Sequence, residues 1–153
     1  MSSNASGGMF YNVNTNKFLF LLRGDSSFRN RWGIVGGKQD NNESELDTIL
    51  REAREELGFL PYIRSMEEMD LFTSPDGKFQ YSTYFVVVND EFKPLLNREH
   101  YGYAWVRENC WPRPLHPGLH KTLEKESVRQ FISQKITYLT PTTTSTNPTS
   151  SES

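Results

Sequence analysis

Three glutamates in segment 37–59 constrain this chain more than any other feature of its sequence. Glu52, Glu55 and Glu56 stand at helical offsets i, i+3 and i+4, which makes them neighbours on one face of a helix. Clustered carboxylates repel one another unless a cation joins them, and hard oxygen ligands favour Mg²⁺ or Mn²⁺. The spacing therefore predicts a metal site or, as the plainer alternative, a surface helix with solvated charges paired to arginine.

The same segment has the pattern of one amphipathic helix. Ser44 followed by Asp47 predicts its start as a variant capping box, and Gly58 predicts its end in a left-handed conformation. At about 100° per residue the apolar side chains fall on one stripe, with the glutamates on one side and Arg51 and Arg54 on the other. The stripe consists of Leu46, Ile49, Leu50, Ala53 and Leu57.

The segment resembles the Nudix signature. Every fixed position of that signature is filled at the right spacing, by Gly37, Glu43, Arg51, Glu52, Ala53, Glu55, Glu56, Gly58 and Phe59. Glu52 and Glu56, one helical turn apart, are then the first candidates for direct metal ligands, and Glu55 would share a second ion or orient water. The resemblance also implies a ligand role for the Gly37 carbonyl. It further implies that Arg51 and Glu43 hold the preceding loop to the helix and orient the ligands.

Length and composition limit the number of domains, the partners and the compartment that we expect. A chain of 153 residues predicts a single domain, which we place at 1–138, and a disordered low-complexity tail at 139–153. The net charge of −2 offers no overall field to attract nucleic acid or membranes, so we expect neither partner. No apolar run approaches the ~20 residues of a membrane span, and the first residues lack a secretory signal pattern. The single cysteine, Cys110, fits a reducing compartment, and we expect a cytoplasmic protein.

The order of strand and helix patterns predicts an α/β domain of the layered α+β kind. We predict strands at 9–13, 17–22, 78–88 and 101–105, and a closing amphipathic helix at 118–136. Segment 62–73 is either one strand or a pair of strands separated at Glu67 and Glu68. The run 17–22 lacks alternation, so we expect it to be covered on both faces. The resemblance narrows this architecture to the Nudix fold, a mixed β-sheet sandwiched between helices.

Segment 23–38 is a predicted loop with one acidic and four cationic residues: Arg23, Arg29, Arg31 and Lys38. They either form an ordinary basic surface or bind the oxygens of a polyphosphate, which Arg does with bidentate geometry. Gly36 and Gly37 let the backbone approach a ligand closely. The position directly before the acidic helix favours substrate binding, although Val35 replaces the Pro usual in the family.

Four aromatic residues of the predicted strands leave two interpretations open. They pack in the core, as most aromatic residues on strands do, or they stack on a base or another ring. The four are Phe72, Phe79, Tyr81 and Tyr84.

Glu99 and His100 stand just before a strand in which Tyr101, Tyr103 and Trp105 alternate with small residues. Nudix proteins commonly carry an acidic residue, often followed by His, before such a Tyr-x-Trp strand. The resemblance therefore makes Glu99 a candidate metal ligand or catalytic base and leaves His100 as the alternative base. Without the resemblance, both would be ordinary surface residues.

Together these features predict a Mg²⁺-dependent hydrolase, with Mn²⁺ as the alternative cofactor. It would cleave a diphosphate linkage in a nucleoside diphosphate joined to another moiety, such as ADP-ribose, a sugar nucleotide or a dinucleoside polyphosphate. The alternatives are a hydrolase of GDP-mannose-type nucleotide sugars with a His base, and a catalytically weak nucleotide-sensing module. We expect a small nucleotide as partner rather than an extended nucleic acid, and a homodimer is left open.

Overall fold

The computed structural model describes residues 3–25 and 27–140. Within these residues the chain forms seven strands and three helices. In chain order they are β1 (Ser3–Asn12), β2 (Lys17–Arg23), β3 (Trp32–Gly33), β4 (Val35–Lys38), α1 (Glu45–Leu57), β5 (Ile63–Thr73), β6 (Phe79–Val88), β7 (His100–Arg107), α2 (Pro117–Glu124) and α3 (Glu126–Leu139). The predicted tail lies outside the described residues from 141 onwards, and α3 extends through Leu139. No helix among the described residues is long and apolar enough to cross a membrane.

One mixed sheet contains all seven strands, and β1 lies at its centre. β1 runs parallel to β6 over its whole length. Its other edge is divided, because β4 pairs with Ala5–Gly8 and β2 pairs with Tyr11 and Asn12, both antiparallel. β7 and β3 pair with β2, and β5 pairs with β6. The predicted α/β class and mixed sheet are confirmed.

Helices cover both faces of this sheet. On one face, α2 and α3 pack on the first core, with Met9, Phe18, Phe20, Phe85, Leu119, Leu123, Val128 and Ile132. On the other face, α1 packs on the second core, with Phe10, Leu19, Leu21, Ala53, Leu57, Val86 and Val88. Successive residues of β2 alternate between the two cores, which accounts for its uninterrupted apolar sequence. The prediction that 17–22 is covered on both faces is confirmed.

β1 begins at Ser3, well before the predicted start at residue 9. Residues 3–8 are small or polar and therefore carry no strand pattern that sequence reasoning can recognise. They form a strand because β6 pairs with one edge of the segment and β4 with most of the other, which satisfies their backbone groups. Their small size also has a use, since the Tyr81 ring packs directly against Gly7.

Two other predicted elements differ from the structure. The predicted loop 23–38 contains β3 and β4, which pair with β2 and β1. The predicted closing helix 118–136 is two helices, because Lys125 has an extended backbone (φ −66°, ψ 135°) between α2 and α3. Lys125 Nζ also lies 3.1 Å from a carboxylate oxygen of Asp70 on β5, which holds this break against the sheet.

Candidate functional site

α1 presents the acidic residues, and its two ends are those predicted from the sequence. Ser44 Oγ accepts a hydrogen bond from the Asp47 N–H at 3.0 Å. Gly58 adopts the left-handed conformation (φ 83°), and its N–H donates to the Arg54 carbonyl at 3.1 Å. Because both ends are capped, the start of the helix and the direction of each glutamate are defined locally.

The first turn of α1 differs from the predicted apolar stripe. Ile49, Ala53 and Leu57 are buried as predicted, whereas Leu46 is 40% exposed, so its place in the stripe is wrong. A charged residue anchors this turn instead. The Glu45 carboxylate accepts hydrogen bonds from two hydroxyl groups of β6, those of Ser82 at 2.8 Å and Tyr84 at 2.6 Å.

We expect Tyr84→Phe to lower the free energy of unfolding by about 1–3 kcal/mol, because it removes a donor from a partly buried carboxylate. Tyr62→Phe is the matched control, since Tyr62 is 73% exposed and the change again deletes one hydroxyl. Urea denaturation of both variants measures the difference. Equal midpoints for Tyr84→Phe and wild type would show that Glu45 does not anchor the helix.

Glu52 and Glu56 form a buried carboxylate pair between α1 and β4. Glu56 is only 5% exposed, and its Oε1 accepts a hydrogen bond from the Gly36 N–H at 3.2 Å. Burial, and then the charge of Glu52, raise the pKa of Glu56 well above its ordinary value. Burial also raises the pKa of Glu52. The two carboxylates titrate as a coupled pair and hold a proton more readily than an isolated glutamate does.

Gly37 makes the approach of this carboxylate pair to β4 possible. A Cβ atom at position 37 would collide with the Oε2 and Cδ atoms of Glu52. The absence of a side chain therefore allows the Glu52 carboxylate to lie directly on the β4 backbone. A larger residue at position 37 would push the Glu52 carboxylate away from β4.

The donor set of the carboxylate pair fits Mg²⁺ or Mn²⁺, because it offers hard, anionic oxygens at a buried point. Among residues 3–25 and 27–140, no three acidic, histidine or cysteine side chains converge into a complete metal cluster. A partial protein shell agrees with the ordinary behaviour of Mg²⁺, which takes one or two carboxylates and fills its other positions with water and substrate phosphate.

Arg51 forms ion pairs with two of the glutamates. Its Nη1 is 3.3 Å from Glu52 Oε2 and 3.4 Å from Glu55 Oε1. The long Arg51 side chain makes these contacts along the solvent-facing surface of the helix, on the side away from the apolar stripe. The side chain of Glu55 is 53% exposed, which places this residue at the rim of the site.

Arg51 also connects α1 to the loop before it. Its Nε lies 2.7 Å from Glu43 Oε2, and its Nη2 donates to the Lys38 carbonyl at 2.9 Å. Glu43 in turn accepts hydrogen bonds from the Asp40 N–H and the Thr48 hydroxyl, each at 2.9 Å. The hydrogen bond from Arg51 lowers the pKa of Glu43 to about 2, so this carboxylate stays ionised at neutral pH.

Glu99 lies in the loop before β7, and two contacts hold that loop near the carboxylate pair. The Glu99 N–H donates to Asn97 Oδ1 at 2.9 Å, and Asn97 Nδ2 donates to the Glu55 carbonyl at 3.0 Å. The Glu99 carbonyl accepts from the Gly24 N–H at 2.7 Å. The Glu99 side chain is exposed, and its charge contributes to the raised pKa values of both members of the pair.

His100 is buried at the start of β7, opposite Arg23 of β2. Its Nδ1 has no hydrogen-bond partner within the described part of the chain. Burial, and then the charge of Arg23, lower the pKa of His100 to about 4. The imidazole is therefore neutral at pH 7 but is a weak proton acceptor.

The four cationic residues considered for substrate binding separate into two pairs. Arg23 and Lys38 line a cavity that also reaches Gly37. Arg29 and Arg31 are exposed on the loop after β2 and lie outside that lining. Arg31 Nη1 donates instead to the Leu115 carbonyl at 3.2 Å.

This cavity, which we call the aromatic cavity, has a volume of about 420 Å³. Phe72, Phe79 and Tyr81 form one of its walls. Tyr84, the fourth aromatic residue considered from the sequence, contacts Glu45 on the other face of the sheet. Gly36 and Gly37 also line the cavity, and the same two residues contact Glu56 and Glu52, although neither glutamate lines the cavity itself.

The opposite wall of the aromatic cavity comes from the start of α2, which sequence reasoning did not connect with the site. His116, Gly118, Lys121 and Lys125 line it. His116 Nδ1 accepts a hydrogen bond from the Gly118 N–H at 3.0 Å, so the residue caps α2. No local pattern marks these residues, because only the folded sheet brings them near β4.

Known proteins resemble the chain in both sequence and fold. A Mycobacterium tuberculosis protein named "Putative 8-oxo-dGTP diphosphatase 3" is 30% identical over 92 residues, which are 57% of this chain and 42% of that protein. The chain therefore matches less than half the length of this curated relative.

Two solved structures with lower identity show the same fold. A Caenorhabditis elegans Ap4A hydrolase in a binary complex has a TM-score of 0.61 and 17% identity, covering 88% of this chain and 97% of that one. The NUDIX domain of Shewanella oneidensis NrtR, complexed with ADP ribose, has a TM-score of 0.59 and 19% identity, covering 92% and 90%.

The family assignment rests on most of the folded region rather than on the signature alone. The sequence model of the NUDIX domain matches residues 3–125, which extend from the start of β1 to the end of α2 and include the carboxylate pair, Glu99 and the aromatic cavity. The chain belongs to the NUDIX domain family.

Proposed function

We propose that this chain is a Mg²⁺-dependent hydrolase that cleaves a diphosphate linkage in a nucleoside diphosphate joined to a second moiety. The observation that carries the proposal is the position of the carboxylate pair against β4, whose residues Gly36 and Gly37 also line the aromatic cavity. A nucleoside in that cavity would have its diphosphate next to the pair. Membership of the NUDIX domain family supports this class of reaction.

Glu52 and Glu56 would hold the divalent cation, with the Gly37 carbonyl as a further ligand. Glu55 and Glu99, both exposed at the rim, are available to bind a second ion or to orient water. A bound Mg²⁺ would supply positive charge to the diphosphate and lower the pKa of a water molecule, and Mn²⁺ would serve in the same way. Arg51 and Glu43 hold the end of β4 and the following loop against α1, so that the carboxylates face the backbone of Gly37.

Arg23 and Lys38 would bind the phosphate oxygens that the cation leaves unpaired, because both line the cavity beside the pair. Arg29 and Arg31 are exposed on the neighbouring loop and would contact only the distal moiety. We assign the removal of a proton from the attacking water to Glu99. His100 is the less suitable base, because it is buried and its pKa is lowered to about 4.

A small dinucleotide or sugar nucleotide suits this site best. The cavity volume of about 420 Å³ falls in the usual range for small-molecule sites and is sufficient for one nucleoside. The relatives point to the same class, since one solved structure is a complex with ADP ribose and another is an Ap4A hydrolase. We also infer a reducing, cytoplasmic compartment, which the single, unpaired Cys110 supports.

A hydrolysis screen of the wild-type protein tests the proposed function. The substrates are ADP-ribose, nucleotide sugars, dinucleoside polyphosphates, nucleoside triphosphates and capped RNA, each with Mg²⁺, with Mn²⁺ or with EDTA. We expect at least one diphosphate-linked nucleotide to be cleaved and EDTA to stop the reaction. Nucleotide binding without turnover of any substrate would overturn the proposal and favour the sensing module.

We expect Gly37→Ala to reduce kcat/KM by more than roughly 10-fold, with little loss of stability, because the new methyl group displaces the flexible end of Glu52. Gly102→Ala is the matched control, since a Cβ there meets no atom within 4 Å. Steady-state kinetics and thermal melts of both variants separate the two effects. Equal activity of the two variants would show that the contact between Gly37 and Glu52 is not needed.

A further inference from the structure

The wall of the aromatic cavity is a cluster of three neighbouring rings that are tilted against one another. The ring centroids of Phe72 and Phe79 are 6.4 Å apart, and those of Phe79 and Tyr81 are 6.5 Å apart. Phe72 is 41% exposed although it is a large apolar residue, so it is not simply part of the core. Stacking on such rings is tolerant of base identity, because every base has a π-face.

The remaining polar groups of the cavity are poorly suited to recognise a base. No carboxylate or carboxamide side chain of the described residues lines it. Those are the groups that read adenine or cytosine edges by directional hydrogen bonds. The hydroxyl-bearing residues of the lining are Tyr81, Thr83 and Thr122, and a hydroxyl can donate or accept. A site of this kind does not distinguish a donor edge from an acceptor edge.

The cationic residues could in principle recognise guanine, but two of them are already engaged. Arg23 donates through Nε to the Ser27 carbonyl at 3.0 Å, and its Nη2 lies 3.2 Å from an Asp25 oxygen. Lys125 Nζ lies 3.1 Å from Asp70. His116 uses Nδ1 to cap α2 and has one ring nitrogen left. Lys38 and Lys121 remain, and a lysine is a point charge without bidentate geometry.

Building on the proposed function, we infer that the aromatic cavity holds the nucleoside by stacking and does not select its base. The substrate class is then any nucleoside diphosphate derivative whose linkage reaches the carboxylate pair. Strong discrimination in binding sites comes from buried polar groups that a wrong ligand leaves unpaired. The described side chains that line this cavity include no carboxylate or carboxamide that could act in this way.

Binding of ADP, GDP, UDP and CDP to the wild-type protein, measured by calorimetry, tests this inference without requiring turnover. We expect the dissociation constants of ADP and GDP to agree within about 5-fold, and those of UDP and CDP to be weaker by about 10-fold or less, because smaller rings stack less well. A preference of more than 100-fold for any one base, or no binding of any of the four, would overturn the inference.

Nucleotide binding to the Phe72→Ala variant is a second test of the inference. We expect the substitution to raise the dissociation constants of all four nucleotides by a similar factor, about 10-fold, as the loss of one stacking surface does. Tyr62→Ala is the matched control, because Tyr62 is an exposed aromatic residue outside the cavity. An effect of Phe72→Ala on one base alone, or an equal effect of the control, would contradict stacking without base selection.

Hydrolysis of ADP-, GDP-, UDP- and CDP-glucose, which share one distal moiety, separates failure of the inference from failure of the proposed function. Similar binding of all four bases without hydrolysis of any nucleotide in the wider screen would leave the inference intact and refute the hydrolase. Hydrolysis of only one member of the series would leave the hydrolase intact and refute the inference.

Discussion

Glu56→Gln is expected to reduce the hydrolytic rate by roughly 10²- to 10⁴-fold, which corresponds to several kcal/mol of transition-state stabilisation. The replacement has nearly the same shape and keeps an oxygen that accepts the Gly36 hydrogen bond. It removes one of the two charges that would hold the cation. Because burial and the charge of Glu52 already disfavour an ionised Glu56, the metal-free variant should melt at or above the temperature of wild type.

Glu68→Gln is the control for this experiment, because Glu68 is an exposed carboxylate of β5. It should leave both rate and melting temperature unchanged. The combination expected for Glu56→Gln, a lost rate in an equally or more stable protein, distinguishes a metal ligand from a residue needed for folding. A rate within a few-fold of wild type at saturating Mg²⁺ would show that Glu56 does not bind the cation.

Glu99→Gln is expected to reduce kcat by about 10²–10⁴-fold, the usual effect of losing a positioned base, while His100→Ala has a much smaller effect. The structure supports this order because Glu99 is exposed and held near the carboxylate pair by Asn97, whereas His100 is buried beside Arg23. Thermal melts must accompany the kinetics, since removing the buried imidazole leaves a cavity.

The pH dependence of the rate provides an independent check of the base. A His100 base would lose activity only as the pH falls through about 4, because its pKa is lowered and protonation abolishes its function. An unperturbed imidazole would instead lose activity through roughly pH 6–7. His100 would be the base if Glu99→Gln kept the wild-type rate and pH dependence while His100→Ala lost most of its rate.

The ends of α1 and the spacing of its glutamates were predictable because the residues that determine them lie within the helix or next to it. The cap residues Ser44 and Gly58 and the spacing of the glutamates all lie within the helix and its ends. The different environments of those glutamates were not predictable, because they depend on β4. Glu56 is buried where the Gly36 N–H meets it, and Glu55, one residue earlier, is exposed to solvent.

The aromatic cavity was only partly predictable, because its walls come from segments that are far apart in the sequence. The sequence suggests that Phe72 and Phe79 could stack, but the opposite wall, with His116 and Lys121, comes from a distant segment. The pairing of β1 with β6 and β4 places the aromatic wall beside β4, and the backbone hydrogen bonds of Trp32 with Pro114 and His116 bring the start of α2 to the sheet. The first residues of β1 show the same limit, since Ser3 and its small neighbours form a strand through their partners rather than their own propensity.

Calorimetric titration of wild-type protein with Mg²⁺, in two buffers of different ionisation enthalpy, tests most directly whether the carboxylate pair holds a divalent cation. Burial raises the pKa values of Glu52 and Glu56 in the metal-free protein, so a cation that binds there competes with protons. We predict saturable binding with release of up to about one proton at mildly acidic pH, and loss of both in Glu56→Gln but not in Glu68→Gln. Equal affinity in Glu56→Gln and wild type, or binding to wild type without proton release, would contradict the assignment of the pair as the metal site.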